Sequence, residues 1–559
     1  MSPAILLRHV AAFVCVLSLL RLSSVADDPD STEPTPPPTT TDLRCPAVCR
    51  CVRRSASMYC SSRALESLPD FTDLDERVKS VYVSDNRLTN LTAASLAGLR
   101  NVERLYLRKN TIHTISPGAF SELSELRELH VADNRISCAA ASCDGAFDGL
   151  DKLAKLEFGN NDVSMVTAAM LAPLRAVVTL VLRDNRIETI EPDAFRQLPQ
   201  LTNLFLSGNE LHLSSGIFTG LENLRELDLE NNSIFHLHEN EFSGLDNLTK
   251  LTLSYNPLKI LHDEILRRVP NLRTLNIAGL QLTAIDADLF EGLDKLESLF
   301  INDNLFKEPE SFMRAISGKL PSLMTLDVSH NPLRELPADF VTDLPALKTL
   351  WINRMPKLER VRAHALRGLP SLQTLQLRYN RLLTVIEENA ISFDDDAPVV
   401  LDTVVMSNND LKELPESLLP WDRMKTLDLQ GNPWQCDCTS LWMPGLKTNI
   451  NWRFQTNFIC ASPENLKGQK IIGLNSTLLQ CDVSDGVNLS TGVIAAMIVV
   501  AAAICASAFA ACFLLGAKKP CMSKREQVRR QSKYVSMLSS GMQDDEGLVT
   551  VVGRDELIT

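Results

Sequence analysis

Apolar residues recur along this chain in a fixed frame. An apolar position is followed by two variable residues, then apolar, variable, apolar, two variable residues and Asn. One copy runs Leu224, Leu227, Leu229, Asn232, then Ile234, Leu237, Phe242 and Leu245; another runs Leu201, Leu204, Leu206, Asn209, Leu211. The first apolar position returns at Val78, Val102, Leu126, Leu153, Val177, Leu201, Leu224, Leu248, Leu272, Leu296, Leu323, Leu347, Leu372, Leu401 and Met424, mostly at steps of 24 residues. The apolar-x-apolar alternation is a strand signal of period two. Each copy therefore predicts one short strand with its apolar side chains turned inward. The Asn that follows also turns inward, where its amide satisfies backbone groups that the turn leaves unpaired.

A period of this length predicts a stacked solenoid with an extended surface, not a globule built around a catalytic cleft. Parallel strands about 4.8 Å apart place fifteen copies along roughly 70 Å. On the opposite side Phe120, Phe147, Phe195, Phe218, Phe242 and Phe290 fill a wider layer. The array must then curve, with the parallel sheet on the concave side. The fold class expected is an α/β repeat solenoid.

Length alone, at 559 residues, suggests several domains, but the repeat makes most of the chain one array. A formal charge of -13 argues against a nucleic-acid partner, which needs a basic face. The first 26 residues read as a secretory signal: Arg8 and His9, an apolar run from Val10 to Leu20, then Ser24-Val25-Ala26. Residues 27–44 form a Pro/Thr-rich leader that cannot pack a core. Residues 493–515 form an uncharged apolar run long enough to span a bilayer as a helix. Lys518, Lys519, Lys524, Arg525, Arg529, Arg530 and Lys533 follow it, as on a cytoplasmic flank. The order predicts a single-pass type I protein of the plasma membrane, with an extracellular array, a stalk at 483–492 and a tail at 516–559.

Eight cysteines cluster at the two ends of the array: Cys45, Cys49, Cys51 and Cys60, then Cys436, Cys438, Cys460 and Cys481. A secreted context and even numbers favour disulfides over zinc ligation, and each cluster allows three pairings. Exposed end repeats need closing in any solenoid. With both ends considered, the chain resembles the extracellular leucine-rich repeat family, and the resemblance covers nearly the whole ectodomain. Cys45-Pro46-x-x-Cys49-x-Cys51 with Cys60 is similar to that family's N-terminal cap, here 45–77. Asn432-Pro433-Trp434-x-Cys436-x-Cys438, Trp442, Cys460, Pro463, Leu466, Gly468 and Cys481 is similar to its C-terminal cap, here 432–482, with the repeats at 78–431 between them. The resemblance implies the bonds Cys45–Cys51, Cys49–Cys60, Cys436–Cys460 and Cys438–Cys481.

Some repeats depart from the frame. Leu280 and Met355 stand where Asn is expected, which predicts local irregularity. Cys138 and Cys143 are spaced to close a small loop by a disulfide. Lys307 to Leu320 reads as a helical insertion. Ile386 to Val400 carries Asp394-Asp395-Asp396, read as a solvated acidic loop because adjacent Asp residues match no calcium-loop spacing.

The outward position of each strand forms a row: Tyr82, Tyr106, His130, Glu157, Val181, Phe205, Asp228, Thr252, Asn276, Phe300, Asp327, Trp351, Gln376, Val405, Asp428. Five of these fifteen are aromatic in a chain that is 6% aromatic, so the row is enriched in residues that anchor interfaces. Strand propensity and cross-strand packing are the competing explanation. Candidate ligand contacts are Tyr82, Tyr106 and His130 near the N-cap, Phe300 and Trp351 near the middle, and Val181 with Phe205. Tyr255 and Tyr379 join them at strand ends. Sequons stand at Asn90, Asn231, Asn247, Asn475 and Asn488. No catalytic, phosphate-binding or metal-ligating constellation is legible, and no cofactor is implied. In the tail, Tyr534-Val535-Ser536-Met537 resembles both a sorting signal and a phosphotyrosine motif read by an adaptor, and Cys512 and Cys521 are candidates for S-palmitoylation.

The function expected is a cell-surface recognition or adhesion receptor, not an enzyme, that binds a protein ligand or a homophilic partner through the concave face. Innate-immune or growth-factor capture as a co-receptor, and a shed or tethered matrix protein, are the alternatives.

Overall fold

The computed structural model describes residues 43–139, 142–392, 401–446 and 457–479. The expected signal, most of the leader, the stalk, the span at 493–515 and the tail lie outside the described residues, as do Asp394–Asp396, Cys481, Asn488, Cys512, Cys521, Tyr534 and Met537. No helix among the described residues is long and apolar enough to cross a membrane.

The repeats stack into one 17-stranded sheet, each strand three residues long. From Ser57–Tyr59 onward neighbouring strands pair in parallel and in register, so Leu204 lies beside Leu227 and Leu227 beside Leu251. The central residue of each strand is buried; Leu105, Leu129, Leu156, Leu180, Leu204 and Leu227 have no exposed surface. Burying one such side chain stabilises the fold by about 1.5–3 kcal/mol, and the frame repeats the gain at every step. Behind the sheet, Phe120, Phe147, Phe195, Phe218, Phe242 and Phe290 are buried as a second layer. Phe120 meets Phe147 at 6.3 Å and Phe218 meets Phe242 at 6.1 Å.

Asn ends each strand for a specific reason. Asn110 donates from Nδ2 to the carbonyls of Leu107 in its own repeat and Val83 in the preceding one, both at 3.0 Å. Its Oδ1 accepts from the Leu88 N–H at 3.2 Å. Asn185, Asn209, Asn232 and Asn256 repeat these bonds, so a buried polar ladder ties each turn to the one before. Leu280 and Met355 are buried without an amide. The strands of both repeats nevertheless keep register, so the expected irregularity is confined to the turns. At Leu280 the backbone carbonyl accepts from the Lys259 N–H at 2.9 Å instead. The insertion after Asn304 is helical over Glu310–Ile316, and its Phe312 stacks on Phe340 at 5.1 Å.

The ends close as extensions of the same pattern. At the N-terminus, Arg50–Val52 pairs antiparallel with Ser57–Tyr59, which pairs parallel with Ser80–Tyr82, so the cap adds two strands to the fifteen expected. Cys45–Cys51 and Cys49–Cys60 bridge this cap, Cys138–Cys143 closes the small loop, and Cys436–Cys460 bridges the C-terminal cap. Cys438 is also disulfide-bonded. Trp434 is fully buried there and donates from Nε1 to the Leu429 carbonyl at 3.0 Å.

One buried residue breaks the pattern. The residue before each spine Phe is Ala119, Ala146, Ala194, Ile217 or Leu289, all buried, but before Phe242 it is Glu241. Glu241 is 2% exposed and neither carboxylate oxygen has a partner among the described residues. Burial raises its pKa above the usual carboxylate value. A raised folded-state pKa favours the neutral acid. The penalty is therefore small below the unfolded-state pKa and grows as pH rises through the folded one. Replacing Glu241→Leu is expected to stabilise the fold by roughly 1–3 kcal/mol near neutral pH. Denaturation of both chains at about pH 4 and about pH 7 should show the gap widening with pH; a gap that is constant or narrows would mean the carboxylate is not held neutral.

Candidate recognition face

The sheet's outer face carries the row anticipated from sequence, and the strand register lines it up from Tyr82 to Asp428. Its aromatic residues are held in three different ways.

Near the N-cap the rings stack on each other. Tyr59, Tyr82, Tyr106 and His130 form a continuous pile with centroids 4.9, 4.5 and 4.4 Å apart and planes within 17° of parallel. The spacing is that of the strands beneath, about 4.8 Å. Cross-strand packing therefore accounts for this patch. Tyr59 was not anticipated, because its strand is hidden inside the cysteine cluster. His130 departs from the expectation of an open contact: it is 6% exposed, stacked on Tyr106 and pinned between Glu128 and Glu157. Its Nδ1 lies 3.0 Å from Glu157 and its Nε2 3.4 Å from Glu128. The His130 hydrogen bond, aided by Lys155, holds the Glu157 carboxyl down at about 2. Burial and the neighbouring Tyr82 push the Tyr106 phenol up.

At Val181 and Phe205 the face is partly covered by its own chain. The Arg183 guanidinium lies 4.8 Å from the Phe205 ring centroid. Beside it the small residues Ala132 and Gly159 leave a recess of about 340 Å³, lined also by Arg108, Asp133, Lys155 and Glu157. Arg108 pairs with Asp133 at 3.3 Å and Lys155 with Glu157 at 2.6 Å, so four of the charges lining the recess are paired with each other.

Phe300 and Trp351 form the third arrangement. They sit two strands apart with Asp327 between them in the row, and their rings meet at 6.4 Å and 41°. Both remain partly exposed, and the Trp351 Nε1 is buried with no acceptor among the described residues. Burial raises the Asp327 carboxyl above its usual range.

Tyr255 and Tyr379 lie one turn beyond the strands and not on them, at the position filled elsewhere by Asp85, Asp133, Asn160, Asp184 and Asp303. That position is left-handed: φ is 58° at Tyr255 and 61° at Tyr379. Asp and Asn tolerate it, whereas a bulky residue there is strained. Both tyrosines are exposed, at 46% and 40%. Tyr255 lies flat over Gly279 and its hydroxyl reaches Asp303 at 3.5 Å, two repeats away. Burial against this ridge and the Asp303 charge push its phenol up to about 12. His330 pairs with Asp303 from the other side at 3.1 Å. A ridge of side chains thus runs beside the Phe300–Trp351 pair.

Among the sequons, Asn90, Asn231, Asn247 and Asn475 are exposed. Asn231 adjoins the ladder residue Asn232 on the same turn row as Tyr255, which puts it at the rim of the sheet face. Asn247 donates to the Glu222 carbonyl at 2.8 Å.

Known proteins place this architecture. The leucine rich repeat family model matches residues 76–136, 151–211, 211–258, 246–306 and 321–382. The chain belongs to the leucine-rich repeat family. It is 32% identical over 217 residues to the human leucine-rich repeat transmembrane protein FLRT2, covering 34% of this chain and 32% of that protein. It is 28% identical over 382 residues to mouse podocan, covering 64% and 56%. Danio rerio transforming growth factor beta activator LRRC33 is 28% identical over 187 residues, covering 33% and 27%. The matches therefore span from about a quarter to just over half of these relatives. Among solved structures, TLR13 in complex with ssRNA13 aligns over 74% of this chain and 55% of its own, at 25% identity and a TM-score of 0.58. A Leptospira interrogans leucine-rich repeat protein aligns over 70% and 94%, at 24% identity and a TM-score of 0.57, and shows the shared fold.

The seating of Tyr255 is testable through Gly279. A Cβ at Gly279 would lie 2.5 Å from the Tyr255 ring, whereas one at Gly292 meets nothing within 4 Å, although both glycines have positive φ, 66° and 83°. Gly279→Ala is expected to cost more than Gly292→Ala by about 1 kcal/mol in chemical denaturation. Equal costs would show that the ring does not rest on Gly279.

Proposed function

We propose that this chain is a cell-surface recognition or adhesion receptor that grips a protein ligand on its sheet face. The observation that carries this reading is the aromatic set at Phe300, Trp351 and Tyr255: partly or largely exposed, unlike the core, and held in a geometry that folding alone does not require. Exposed aromatics beside satisfied polar groups are the usual anchors of protein interfaces. The stacked pile at Tyr82 and Tyr106 supports the array more than it contacts a ligand, and Val181 with Phe205 forms a secondary surface. FLRT2 carries "transmembrane" in its name, which agrees with the topology read from the sequence. In this reading 493–515 anchors the ectodomain as a single pass, Tyr534 to Met537 offers the tail to an adaptor, and Cys512 and Cys521 are acylated. Glycans on Asn90, Asn231, Asn247, Asn475 and Asn488 shield the remainder, with Asn231 setting one limit of the contact.

The test is a paired substitution, Phe300→Ala with Trp351→Ala, in the full-length chain displayed on cells. Clustering with partner-bearing cells, or capture of the surface protein that the wild type recovers, is expected to fall at least ~10-fold, with surface display unchanged. Undiminished capture by a normally displayed variant would place the contact elsewhere.

A further inference from the structure

At two other places on the sheet side an aromatic ring is covered by a guanidinium of its own chain. Arg183 lies 4.8 Å from the centroid of Phe205, and Arg354 and Arg378 lie 5.2 and 6.0 Å from that of Tyr379. These contacts are cation–π pairs, and they show that this surface already uses arginine on aromatic faces. Phe300 and Trp351 differ: among the described residues no cation lies over either ring. What stands between them is a carboxylate. Their strands are separated by two strand spacings, about 9.6 Å, yet the ring centroids are 6.4 Å apart. The rings therefore lean toward each other over Asp327.

Asp327 has a hydrogen bond to the Ser329 N–H at 2.9 Å but no ion-pair partner among the described residues. The negative charge extends beyond it. Asp303 lies one repeat away on the turn ridge, and Glu230 and Asp228, which also form no ion pair among the described residues, lie further along the same face. Burial and the Asp228 charge raise the Glu230 carboxyl. Two basic groups along this stretch are already committed: His330 to Asp303 at 3.1 Å and Lys250 to Glu226 at 2.7 Å. The Trp351 Nε1–H is buried without an acceptor among the described residues, so the ring offers its face and not its N–H to a partner.

We propose that the Phe300–Asp327–Trp351 box receives an arginine side chain displayed by the protein partner. Arginine fits better than lysine: its planar guanidinium stacks on a ring face while its N–H fork meets the carboxylate. The chain's formal charge of -13 would steer such a basic segment toward it. The inference rests on the sheet-face reading above and names the chemistry of its central contact.

The probe is an acetylated, amidated peptide of alternating glycine and arginine, compared with the same peptide carrying citrulline. Citrulline keeps the planar shape and removes the charge. Binding to the purified full-length chain is followed by fluorescence anisotropy of the labelled peptide at physiological salt. The arginine peptide is expected to bind at least ~10-fold more tightly than its citrulline counterpart, the equivalent of about 1.4 kcal/mol. Asp327→Asn, which preserves size and the acceptor for Ser329, should lower affinity by a similar factor. Asp422→Asn, at an exposed residue of the short turn Trp421–Arg423, should leave it unchanged. Equal binding of both peptides, absent binding, or the same loss with Asp422→Asn would overturn the proposal. Should the peptide fail while Phe300→Ala with Trp351→Ala still abolishes partner capture, the recognition face stands and only the arginine assignment falls.

Discussion

The buried asparagine ladder is the interaction on which the rest of this structure depends. A three-residue strand offers little sheet on its own, and the chain must turn sharply after each one. That turn leaves carbonyls and N–H groups inside the apolar core, where an unpaired one costs about 1–3 kcal/mol. One amide per repeat answers the need, because it both donates and accepts. At Asn209 the donor side takes the carbonyls of Leu206 and Leu182 and the acceptor side takes the Ile187 N–H. The bond pattern reaches into the preceding repeat, so it fixes the stacking register along with the local turn. Everything on the outer face inherits its spacing from that register: the four-ring pile, the Phe300–Trp351 pair and the ridge beside it.

The same constraint separates positions that specify the fold from positions free to specify something else. Leu, Phe and Asn are held by burial. The third residue of each strand, and the turn residue three beyond it, face away from the core and vary. Variation alone does not make a binding site. The structure divides the outward aromatics by what already satisfies them: other rings at Tyr82 and Tyr106, arginine at Phe205 and Tyr379, and a carboxylate without a cation at Phe300 and Trp351. Among the described residues of these three groups, the last is left chemically incomplete by its own chain, and this distinguishes it within a face that looks uniform as sequence.

Much of this was legible beforehand because the frame is so regular. Strand positions, the inward Asn, the Phe layer and the Phe300–Trp351 proximity all follow from counting residues. What escaped did so for identifiable reasons. Row position says that His130 points outward, but not that Tyr106, Glu128 and Glu157 close over it. The strand at Ser57–Tyr59 lacks the Leu-x-Leu signature because cysteines hold it in place, so Tyr59 was missed. The left-handed setting of Tyr255 is legible in the column of Asp, Asn and Gly at the same offset in other repeats. Glu241 was readable in the same way, as the one acid in a column of Ala, Ile and Leu. The covering arginines were not, because they depend on side-chain direction across neighbouring repeats.

The central claim is that the sheet face around Phe300 carries recognition, and steric occlusion tests it without altering any proposed contact. Ala278→Ser completes an Asn-x-Ser sequon at Asn276, which lies beside Phe300 in the row. The preceding repeat carries Ser254 at the equivalent position and the second repeat beyond carries Ser329, both buried, so the substitution fits the fold. Capture of the wild type's surface partner, measured with the glycan verified by mass spectrometry, is the decisive readout. The account predicts that the glycosylated variant reaches the cell surface normally and loses capture, and that enzymatic removal of the glycan restores it. Capture that persists with the glycan in place would contradict it.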